Sequence, residues 1–332
     1  MVPVMPVEQV RALVVTRHGG AEVLQVQQRS LPDPGPDEMR VAVAASGVNF
    51  VDVYQRQGVY RTSPPFVLGA EGAGSVVAVG AAVSDFRIGD TVAWADAPAS
   101  HASEVNVPAN KAVPVPPEVP VEIAAAAMLQ GMTAHYLANS TYPVQPGDVA
   151  LVHAAAGGVG QLLVQMIKHR GGHVIGTVST AQKEIKARAV GADEVIRYTE
   201  VPDLAAQVRH LNGERGVRVV YDGVGRVTFE ASLSSLAPRG MLVVFGGSSG
   251  QVPPFDVQRL NSGGSLFLTR PTLVHYTATR EELLWRSSDV LNALAAGRLH
   301  IEIGGRYPLD QAARVYDDLE SRRTTGKLLL IP

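Results

Sequence analysis

Up to about Pro143 the chain alternates short apolar runs with turn residues, the pattern of a β domain. Apolar or alternating runs such as LVV, MRVAVAASGV, EGAGSVVAVG and GDTVAWA are separated by Gly and Pro. LPDPGPDE and VPVPPEVP are predicted loops, because proline cannot donate a ladder hydrogen bond. We therefore predict a β-rich first part with little helix.

From Asp148 the pattern changes to apolar strands that alternate with helical segments. The predicted strands are VALVHA, HVIGTVS, EVIRY, VRVVYDGVG, MLVVFGG and SLFLT (Ser265–Thr269). A helix is predicted from Val159 to about His169, and AQKEIKARAV and VTFEASLSSLA show further helical patterns. Continuous apolar strands between helices indicate a parallel sheet that is covered on both faces.

Composition narrows the class of protein without identifying it. The 332 residues suggest about two domains, and 46% hydrophobic with 18% charged residues favours a folded chain. A net charge of −2 without long runs of like charge predicts neither nucleic acid nor membrane as main partner. The chain has no cysteine, which excludes disulfides and thiolate zinc sites. It shows no secretory signal pattern, so we expect a soluble cytoplasmic protein.

The stretch HAAAGGVG (153–160) ends a predicted strand and opens a predicted helix, as a dinucleotide-binding loop does. Gly157 would let the backbone approach a pyrophosphate, and Gly160 would let the helix pack closely on the strand. Ala155 stands where the motif has its first glycine, and we expect the turn to survive if its φ stays negative. An ordinary tight turn is the alternative.

The next predicted strand bears on the cofactor. An NAD site places Asp or Glu about 20 residues after the glycine loop, to bind the ribose 2′-hydroxyl. Here the sequence offers Ser179, Thr180, Gln182 and Lys183 instead. These donors suit a 2′-phosphate and favour NADPH over NADH. Read alone, Lys183 would be a solvated helix residue.

Two motifs indicate chemistry that their surroundings do not support. GGSSG (246–250) fits the serine-nucleophile pattern, but Pro253 and Pro254 prevent the helix that should follow. We predict instead a loop over the cofactor at the carboxyl end of a strand. His169 and His173 have the spacing of metal ligands on a helix, yet Gly171 and Gly172 interrupt that helix.

Several motifs together resemble a known family. A β-rich first half followed in order by HAAAGGVG, GTVSTAQK, VVYDGVG, VFGGSSG and LESR resembles the zinc-free medium-chain dehydrogenases/reductases, in their quinone oxidoreductase (zeta-crystallin-like) branch. The resemblance covers nearly the whole chain. It implies an α/β fold in which a GroES-like β domain (1–131 and 272–332) accompanies a doubly wound, Rossmann nucleotide-binding domain (132–271). It also implies NADPH in the cleft between the two.

The same resemblance implies that no metal is bound. Zinc-dependent relatives carry a cysteine and a His-Glu pair in the first domain. Here GVNFVDV and LGAEGAG place Asn49 and Ala70 at the ligand positions, and the cysteine-rich zinc lobe is missing.

Contacts with the cofactor follow from the resemblance along the whole chain. The residues implied at the cofactor and substrate cleft are Phe50, Asp52, Tyr54 and Tyr136. Those implied at the pyrophosphate are Gly157, Gly158, Val159 and Gly160. Those implied around the adenosine 2′-phosphate are Ser179, Thr180, Lys183, Tyr198 and Arg322. Those implied at the ribose and nicotinamide are Gly223, Phe245, Gly246, Gly247, Ser248, Leu268, Thr269 and Arg270. At Gly223 and Gly247 we expect backbone contacts only.

The implied activity is hydride transfer from NADPH to a quinone, which becomes a stabilised hydroquinone anion and so needs no zinc. We expect Asn49 and Tyr54 to hydrogen-bond the quinone oxygen or the ribose, with Tyr54 as a proton donor. The alternative is that both residues only shape the pocket.

Three other features stay open at this stage. QGVY (57–60) resembles the tyrosine segment of 2-enoyl thioester reductases, in which Tyr60 would donate the proton. Such an enzyme should have a basic entrance for acyl-carrier phosphates, and the sequence offers only Arg56 and Arg61 nearby, which is thin support. An NADPH-binding sensor or an RNA-binding crystallin-like protein is the non-enzyme alternative. SLFLT is predicted at the sheet edge, where it favours a homodimer.

Overall fold

The computed structural model describes residues 8–332 of the chain. The described residues divide into two compact units. The first runs to Leu129 and resumes at Thr277–Pro332, and the second is Gln130–Tyr276. The domain boundaries predicted from the sequence lie after residues 131 and 271.

The elements follow one another along the chain with few long connections. The first part contains β1 (Glu8–Val15), β2 (Leu24–Leu31), β3 (Glu38–Gly47), α1 (Phe50–Arg56), β4 (Phe66–Val67), β5 (Gly72–Val79), β6 (Thr91–Trp94), β7 (Glu104–Pro108), β8 (Val113–Pro114) and α2 (Val121–Tyr136). The middle contains β9 (Val149–Val152), α3 (Gly158–His169), β10 (His173–Val178), α4 (Ala181–Ala189), β11 (Glu194–Arg197), α5 (Leu204–Leu211), β12 (Val217–Asp222), α6 (Phe229–Ser234), β13 (Leu236–Val244), α7 (Gln258–Ser262), β14 (Phe267–Thr269) and α8 (Leu273–Tyr276). The last part contains α9 (Arg280–Ala295), β15 (Ile303–Pro308), α10 (Ala312–Glu320) and β16 (Lys327–Ile331).

The first unit is built on two β-sheets. One has the order β15-β16-β3-β5-β6-β8, with β7 also paired to β3, and the other has the order β2-β1-β4. The C-terminal strand β16 pairs antiparallel with β3, which brings the end of the chain beside Gly47. One core cluster joins β1, α1, α10 and β16, and a second lies among β3, β5, β6 and β7.

Helix α2 corrects the expectation that the part before Pro143 contains little helix. It runs for 16 residues and continues as a wider helical turn over Leu137–Thr141. Its first half, VEIAAAAML, is almost entirely apolar, so it has no polar face to reveal a helical period. Alanine has the highest helix propensity, and that local signal was the informative one.

The second unit is an open parallel sheet with the order β11-β10-β9-β12-β13-β14. Numbered from β9, this order is the 3-2-1-4-5-6 of a doubly wound dinucleotide-binding fold. Apolar side chains from its strands, α5 and α6 form the core cluster of this unit. The six predicted strands and the helix after the glycine loop are confirmed, and β13 begins five residues earlier than predicted.

In such a sheet a ligand binds outside the carboxyl ends of the strands where the strand order reverses. That point lies between β9 and β12, so a ligand is expected at the loops after these two strands.

Across residues 8–332, no helix has both the length and the apolar character that crossing a membrane requires.

Candidate functional site

The loop between β9 and α3 is a tight turn held by its own backbone. The Gly157 N–H donates to the Ala154 carbonyl at 2.8 Å, and the Ala155 N–H donates to the Thr177 carbonyl in β10 at 3.1 Å. The left-handed backbone lies at Ala154 (φ +52°), one residue before the alanine that replaces the first glycine. A non-glycine residue in this region costs roughly 1–2 kcal/mol. Its surroundings must therefore hold the turn in place.

Ala155 is accommodated because the neighbouring strand has no side chain opposite it. A Cβ on Gly176 in β10 would lie 2.8 Å from the Ala155 Cβ, closer than real Cβ atoms approach each other. Ala155 is completely buried at this contact. The methyl group that departs from the motif is thus matched by a glycine on the next strand.

The other two glycines of the motif meet different surroundings. A Cβ on Gly160 would lie 2.2 Å from the Ala154 carbonyl oxygen and 2.9 Å from the Ala155 Cα, both backbone atoms. Gly160 therefore allows α3 to pack against the loop. A Cβ on Gly157 would lie 3.1 Å from the same carbonyl oxygen, with only one other atom within 4 Å. Gly157 leaves open space in front of the loop.

The N-terminus of α3 fits a phosphate group. Its N-cap is Gly157, and no side chain caps the first turn of this 12-residue helix. A Cβ on Gly158 would overlap the end of the Gln130 side chain, which would have to move. A helix N-terminus of this kind presents N–H groups and a positive dipole to an anion. The residues present therefore fit a dinucleotide pyrophosphate.

The carboxyl end of β10 carries the residues expected at the adenosine end. Thr180 caps α4, its Oγ1 accepting from the Lys183 N–H at 3.3 Å, and the Ser179 carbonyl accepts from the Thr199 hydroxyl. Tyr198, which follows β11, donates its N–H to the last residue of β10 and is partly exposed. Ser179, Thr180, Lys183 and Tyr198 thus come from neighbouring strand ends of one sheet.

One acid near this end is already paired. Glu184, in the first turn of α4, accepts from Arg188 at 2.9 Å and lies 3.2 Å from the Arg197 guanidinium. A carboxylate held by two arginines is less available to a ribose hydroxyl than an isolated one.

The turn after β12 is organised by the buried carboxylate of Asp222. One of its oxygens, Oδ1, accepts from the N–H groups of Val224 and Gly225 at 2.8 and 2.9 Å, and the Thr228 hydroxyl lies within hydrogen-bond distance of both oxygens. The carboxylate has no exposed surface. Asp222 therefore holds the chain in a tight turn on the β12 side of the strand-order reversal.

The segment 245–250 after β13 is a loop, as the two prolines beyond it predict. The Phe245 N–H donates to the Asp222 carbonyl at 2.9 Å, and the Ser249 N–H donates to the Val224 carbonyl at 2.8 Å. A Cβ on Gly223 would lie 2.8 Å from the Phe245 ring, and one on Gly246 would lie 2.5 Å from the Gly223 carbonyl oxygen. The two loops pack so closely that Gly223 can offer only its backbone.

His153, the residue after β9, links β10 to α6 through its two ring nitrogens. Its Nδ1 lies 2.9 Å from the Thr177 hydroxyl and its Nε2 lies 2.9 Å from the Ser232 hydroxyl, which donates to Asp222 at 2.7 Å. All four side chains are buried. Burial lowers the pKa of His153, against the opposing pull of the Asp222 charge, so the imidazole is held neutral.

In the first unit, Asn49 belongs to a buried network. Its amide nitrogen donates to the Gly47 carbonyl at 3.0 Å and to Glu71 at 2.8 Å, and its oxygen accepts from Lys327 at 2.7 Å. The Lys327 ammonium also lies 2.5 Å from Glu71, and both side chains are completely buried. The Asn49 amide is thus engaged within the fold. Direct contact of Asn49 with the quinone oxygen or the ribose stays a prediction from the sequence.

A second buried network surrounds Asp52. Its Oδ2 accepts from the Asn49 N–H at 2.7 Å and from the Tyr316 hydroxyl at 2.9 Å. His101 bridges Tyr316 and Ser46 at 2.8 and 2.7 Å. Burial and the neighbouring Asp52 carboxylate raise the pKa of Tyr316 well above its usual value. Asp52 has no exposed surface, so it stabilises the start of α1 from inside the unit.

The aromatic residues of this region form a contiguous group on α1 and the segment after it. The Tyr54 ring lies 5.4 Å from the Tyr60 ring in an edge-on arrangement and 6.3 Å from the Phe50 ring. Tyr60 is 42% exposed. The geometry brings both predicted proton donors, Tyr54 and Tyr60, together.

Arg56, one of the two basic residues near Tyr60, is not available to a basic entrance. Its side chain is completely buried, lies 2.6 Å from the Glu320 carboxylate and donates to the Gly19 carbonyl at 3.1 Å. Only Arg61, of the two arginines considered, lies at the surface.

The remaining predicted residues lie in several places. Tyr136 is buried at the end of α2 and stacks on Tyr276 with ring centres 4.3 Å apart. Leu268 and Thr269 are in the edge strand β14, and the following Arg270 donates to the Val244 carbonyl at 3.2 Å. Arg322 lies in the first unit, just after α10, with a φ of +59°. Gly247 and Ser248 are in the loop after β13.

Sequence reasoning missed the buried ionisable and hydrogen-bonding residues. Glu71, Lys327, His153 and Asp222 all lie in or beside apolar strands. A charged or polar residue at such a position is unusual and was the available signal. For Glu71 and His153 the partner could not have been found, since Lys327 and Ser232 are 256 and 79 residues away in the chain.

Comparisons with known proteins agree with this geometry. Residues 35–138 match the family model described as alcohol dehydrogenase GroES-like domain, and residues 158–285 match the one described as zinc-binding dehydrogenase. Quinone oxidoreductase 1 of Escherichia coli is 44% identical over 320 residues, covering 95% of this chain and 98% of that protein. The 2-haloacrylate reductase of a Burkholderia species is 39% identical over 331 residues, covering 97% and 99%.

A solved structure shows similarity to the same family. The crystal structure of the Escherichia coli quinone oxidoreductase complexed with NADPH has a TM-score of 0.95 at 43% identity, covering 97% of this chain and all of that one.

The residues of this chain do not fit the zinc ion that one family model is named for. Within residues 8–332 no group of three or more His, Cys, Asp or Glu side chains could hold a metal ion. Ala70 has no ligand atom, and the ammonium of Lys327 already lies between Glu71 and Asn49. The Lys327 ammonium thus pairs with the buried Glu71 carboxylate.

Proposed function

Since this chain belongs to the quinone oxidoreductase family of zinc-free medium-chain dehydrogenases/reductases, we propose that it reduces quinones with NADPH. The single observation that carries the proposal is the uncapped N-terminus of α3 behind a glycine loop, beside strand ends that bear Ser179, Thr180 and Lys183. This arrangement suits a dinucleotide with a 2′-phosphate. The relatives named above support both the cofactor and the acceptor.

The residues of the chain would bind and orient the reactants. NADPH supplies a hydride donor when it is bound. The N–H groups of Gly158 and Val159 would hold the pyrophosphate, and Lys183 would pair with the 2′-phosphate. A quinone that accepts a hydride becomes a hydroquinone anion, which then needs only a proton. Tyr54 would donate that proton, either directly or through a water molecule.

Substitution of Tyr54 tests this assignment. We expect Tyr54→Phe to lower kcat/KM for a benzoquinone by about tenfold, less than the roughly 10²–10⁴-fold typical of a lost general acid, because the anion is already stabilised. Tyr60→Phe is the matched control and should stay within about twofold with the same quinone. Full kcat/KM in Tyr54→Phe, measured by NADPH oxidation, would show that Tyr54 is not the proton donor.

A steady-state screen tests the function itself. NADPH and NADH are each offered with a benzoquinone, a naphthoquinone, crotonyl thioester and 2-haloacrylate, and oxidation is followed by absorbance. We expect turnover with quinones and a preference for NADPH. Tight binding of NADPH with turnover of none of these acceptors would instead favour a sensor.

Reduction of an activated carbon–carbon double bond is the second candidate. Its support is the relative named 2-haloacrylate reductase, together with the exposed Tyr60 beside Tyr54. The acyl-carrier form of this proposal is weakened, because Arg56 is buried against Glu320. In the screen, a higher kcat/KM for 2-haloacrylate or crotonyl thioester than for any quinone would favour this candidate.

We also propose a homodimer that forms through β14. This strand is at the edge of the sheet, and Phe267 is 56% exposed on it. We expect light scattering to give twice the 35.1 kDa chain mass, and Phe267→Lys to lower it toward the monomer because a charged edge resists pairing. Ile185→Lys, on exposed α4, is the control and should leave the mass unchanged. An unchanged dimer in Phe267→Lys would place the interface elsewhere.

The location and the wider partners stay predictions from the sequence. The near-neutral charge and the absence of a basic–aromatic patch favour a small molecule over nucleic acid as the main partner. The cytoplasm stays the predicted compartment.

A further inference from the structure

The buried chain through His153 has one consistent arrangement of protons. A carboxylate only accepts, so the single proton of the Ser232 hydroxyl must go to Asp222 at 2.7 Å. The Ser232 oxygen therefore accepts from His153 Nε2–H at 2.9 Å. In a neutral imidazole this leaves Nδ1 as an acceptor, and the Thr177 hydroxyl donates to it. Every member of the chain is satisfied in this one tautomer.

The chain continues from Asp222 into the backbone of two loops. The carboxylate holds the turn through the N–H groups of Val224 and Gly225. The carbonyls of this turn then accept from the loop after β13, since Ser249 N–H donates to Val224 and Ser248 N–H donates to Gly223. The Ser249 hydroxyl adds a further bond to the Val224 carbonyl at 2.7 Å. The GGSSG segment is thus fastened to the turn that Asp222 shapes.

These loops lie on one particular side of the strand-order reversal. In a doubly wound sheet, the half with β9, β10 and β11 takes the adenosine, and the other half takes the second nucleotide. The turn after β12 and the loop after β13 belong to that second half, where the nicotinamide would lie. His153, at the end of β9, is at the junction of the two halves.

We propose that His153 is a positioning residue for the nicotinamide half of the cofactor, acting through Ser232 and Asp222. This inference rests on the proposed binding of NADPH. Loss of the link from His153 to Ser232 lets the Asp222 carboxylate and the two loops shift, while the phosphate cradle at α3 and the adenosine end keep their own contacts. NADPH binding then weakens more than the binding of an adenosine fragment.

Two amide substitutions separate the two arms of the imidazole. In His153→Asn the short amide can accept from Thr177 at the place of Nδ1, but it cannot reach Ser232. In His153→Gln the longer amide can donate to Ser232 at the place of Nε2. Ser232→Ala breaks the same link from its other side.

The measurement is calorimetric binding of NADPH and of 2′,5′-ADP, which carries only the adenosine half. In His153→Asn we expect the Kd for NADPH to rise about tenfold, as for a lost buried hydrogen bond, and the Kd for 2′,5′-ADP to stay within about twofold. His153→Gln should retain NADPH binding within about threefold. The Kd for NADPH in Ser232→Ala should match that in His153→Asn. The double variant with both substitutions should bind NADPH no more weakly than either single variant. Lys183→Ala, at the adenosine end, is the contrast and should weaken both ligands.

The outcomes are distinguishable. Equal weakening of both ligands in His153→Asn, or weakening of neither, overturns the inference, and so does loss of NADPH binding in His153→Gln with thermal unfolding unchanged. If His153→Asn does not fold, Ser232→Ala decides in the same way. A wild-type protein that binds no NADPH overturns the proposed function and this inference with it. Binding by wild type and by all His153 and Ser232 variants alike overturns the inference alone.

Discussion

Replacement of Lys327 by methionine is expected to lower the free energy of unfolding by roughly 3–5 kcal/mol. Its ammonium is 1% exposed, lies 2.5 Å from the completely buried Glu71 and also donates to Asn49. Methionine has a similar length but no charge, so the Glu71 carboxyl would be left buried without its cation. The loss is measured by equilibrium denaturation in urea.

Lys168→Met provides the matched control. Lys168 pairs with Asp193 at 2.7 Å, but these side chains are 33% and 25% exposed, so the substitution should cost about 1 kcal/mol or less. The double variant Glu71→Gln with Lys327→Met removes both charges and should recover part of the loss. Equal costs for Lys327→Met and Lys168→Met would contradict the role given to the buried pair.

Gly160→Ala is expected to damage both folding and cofactor binding. The new methyl group would lie 2.2 Å from the Ala154 carbonyl oxygen, so α3 must move away from the loop. Overpacking of this kind costs roughly 1–3 kcal/mol, and the displaced helix N-terminus would no longer meet the pyrophosphate. We expect a lower Tm together with loss of measurable NADPH binding.

Gly157→Ala, three residues before Gly160, should weaken NADPH binding without lowering the Tm. Its φ of −81° is open to alanine, and the nearest atom to a new Cβ would be 3.1 Å away. We expect a Tm close to that of wild type, but weaker NADPH binding, because the methyl group enters the space in front of the loop. The prediction fails if Gly160→Ala unfolds at the wild-type temperature or if Gly157→Ala is the less stable of the two.

Much of the second unit follows from local pattern. Its strands are short apolar runs, its helices have polar faces, and turn residues separate them, so their order could be read along the chain. Even the loop conformation at 245–250 was predictable, because Pro253 and Pro254 exclude the helix that a serine nucleophile requires. The prediction was wrong for α2, whose alanine-rich first half has no polar side to give a period.

The glycine loop shows both what pattern can predict and where it stops. Its position between a strand and a helix indicated a dinucleotide, and the donors without an acid after the next strand, Ser179 to Lys183, favoured NADPH. The sequence could not show that the left-handed residue is Ala154 or that Gly176, on the next strand, makes room for Ala155. Both depend on how two strands lie side by side.

By itself the sequence determined the order of strands in the second unit, the two-part organisation and the family, because the motifs that indicate them are made of residues that are neighbours in the chain. Only the tertiary structure shows which side chains Asn49, Arg56 and His153 contact. Their partners Lys327, Glu320 and Ser232 are 278, 264 and 79 residues away. A buried polar residue must find a partner, but nothing in the local sequence says which one, since strand pairing and helix packing choose it.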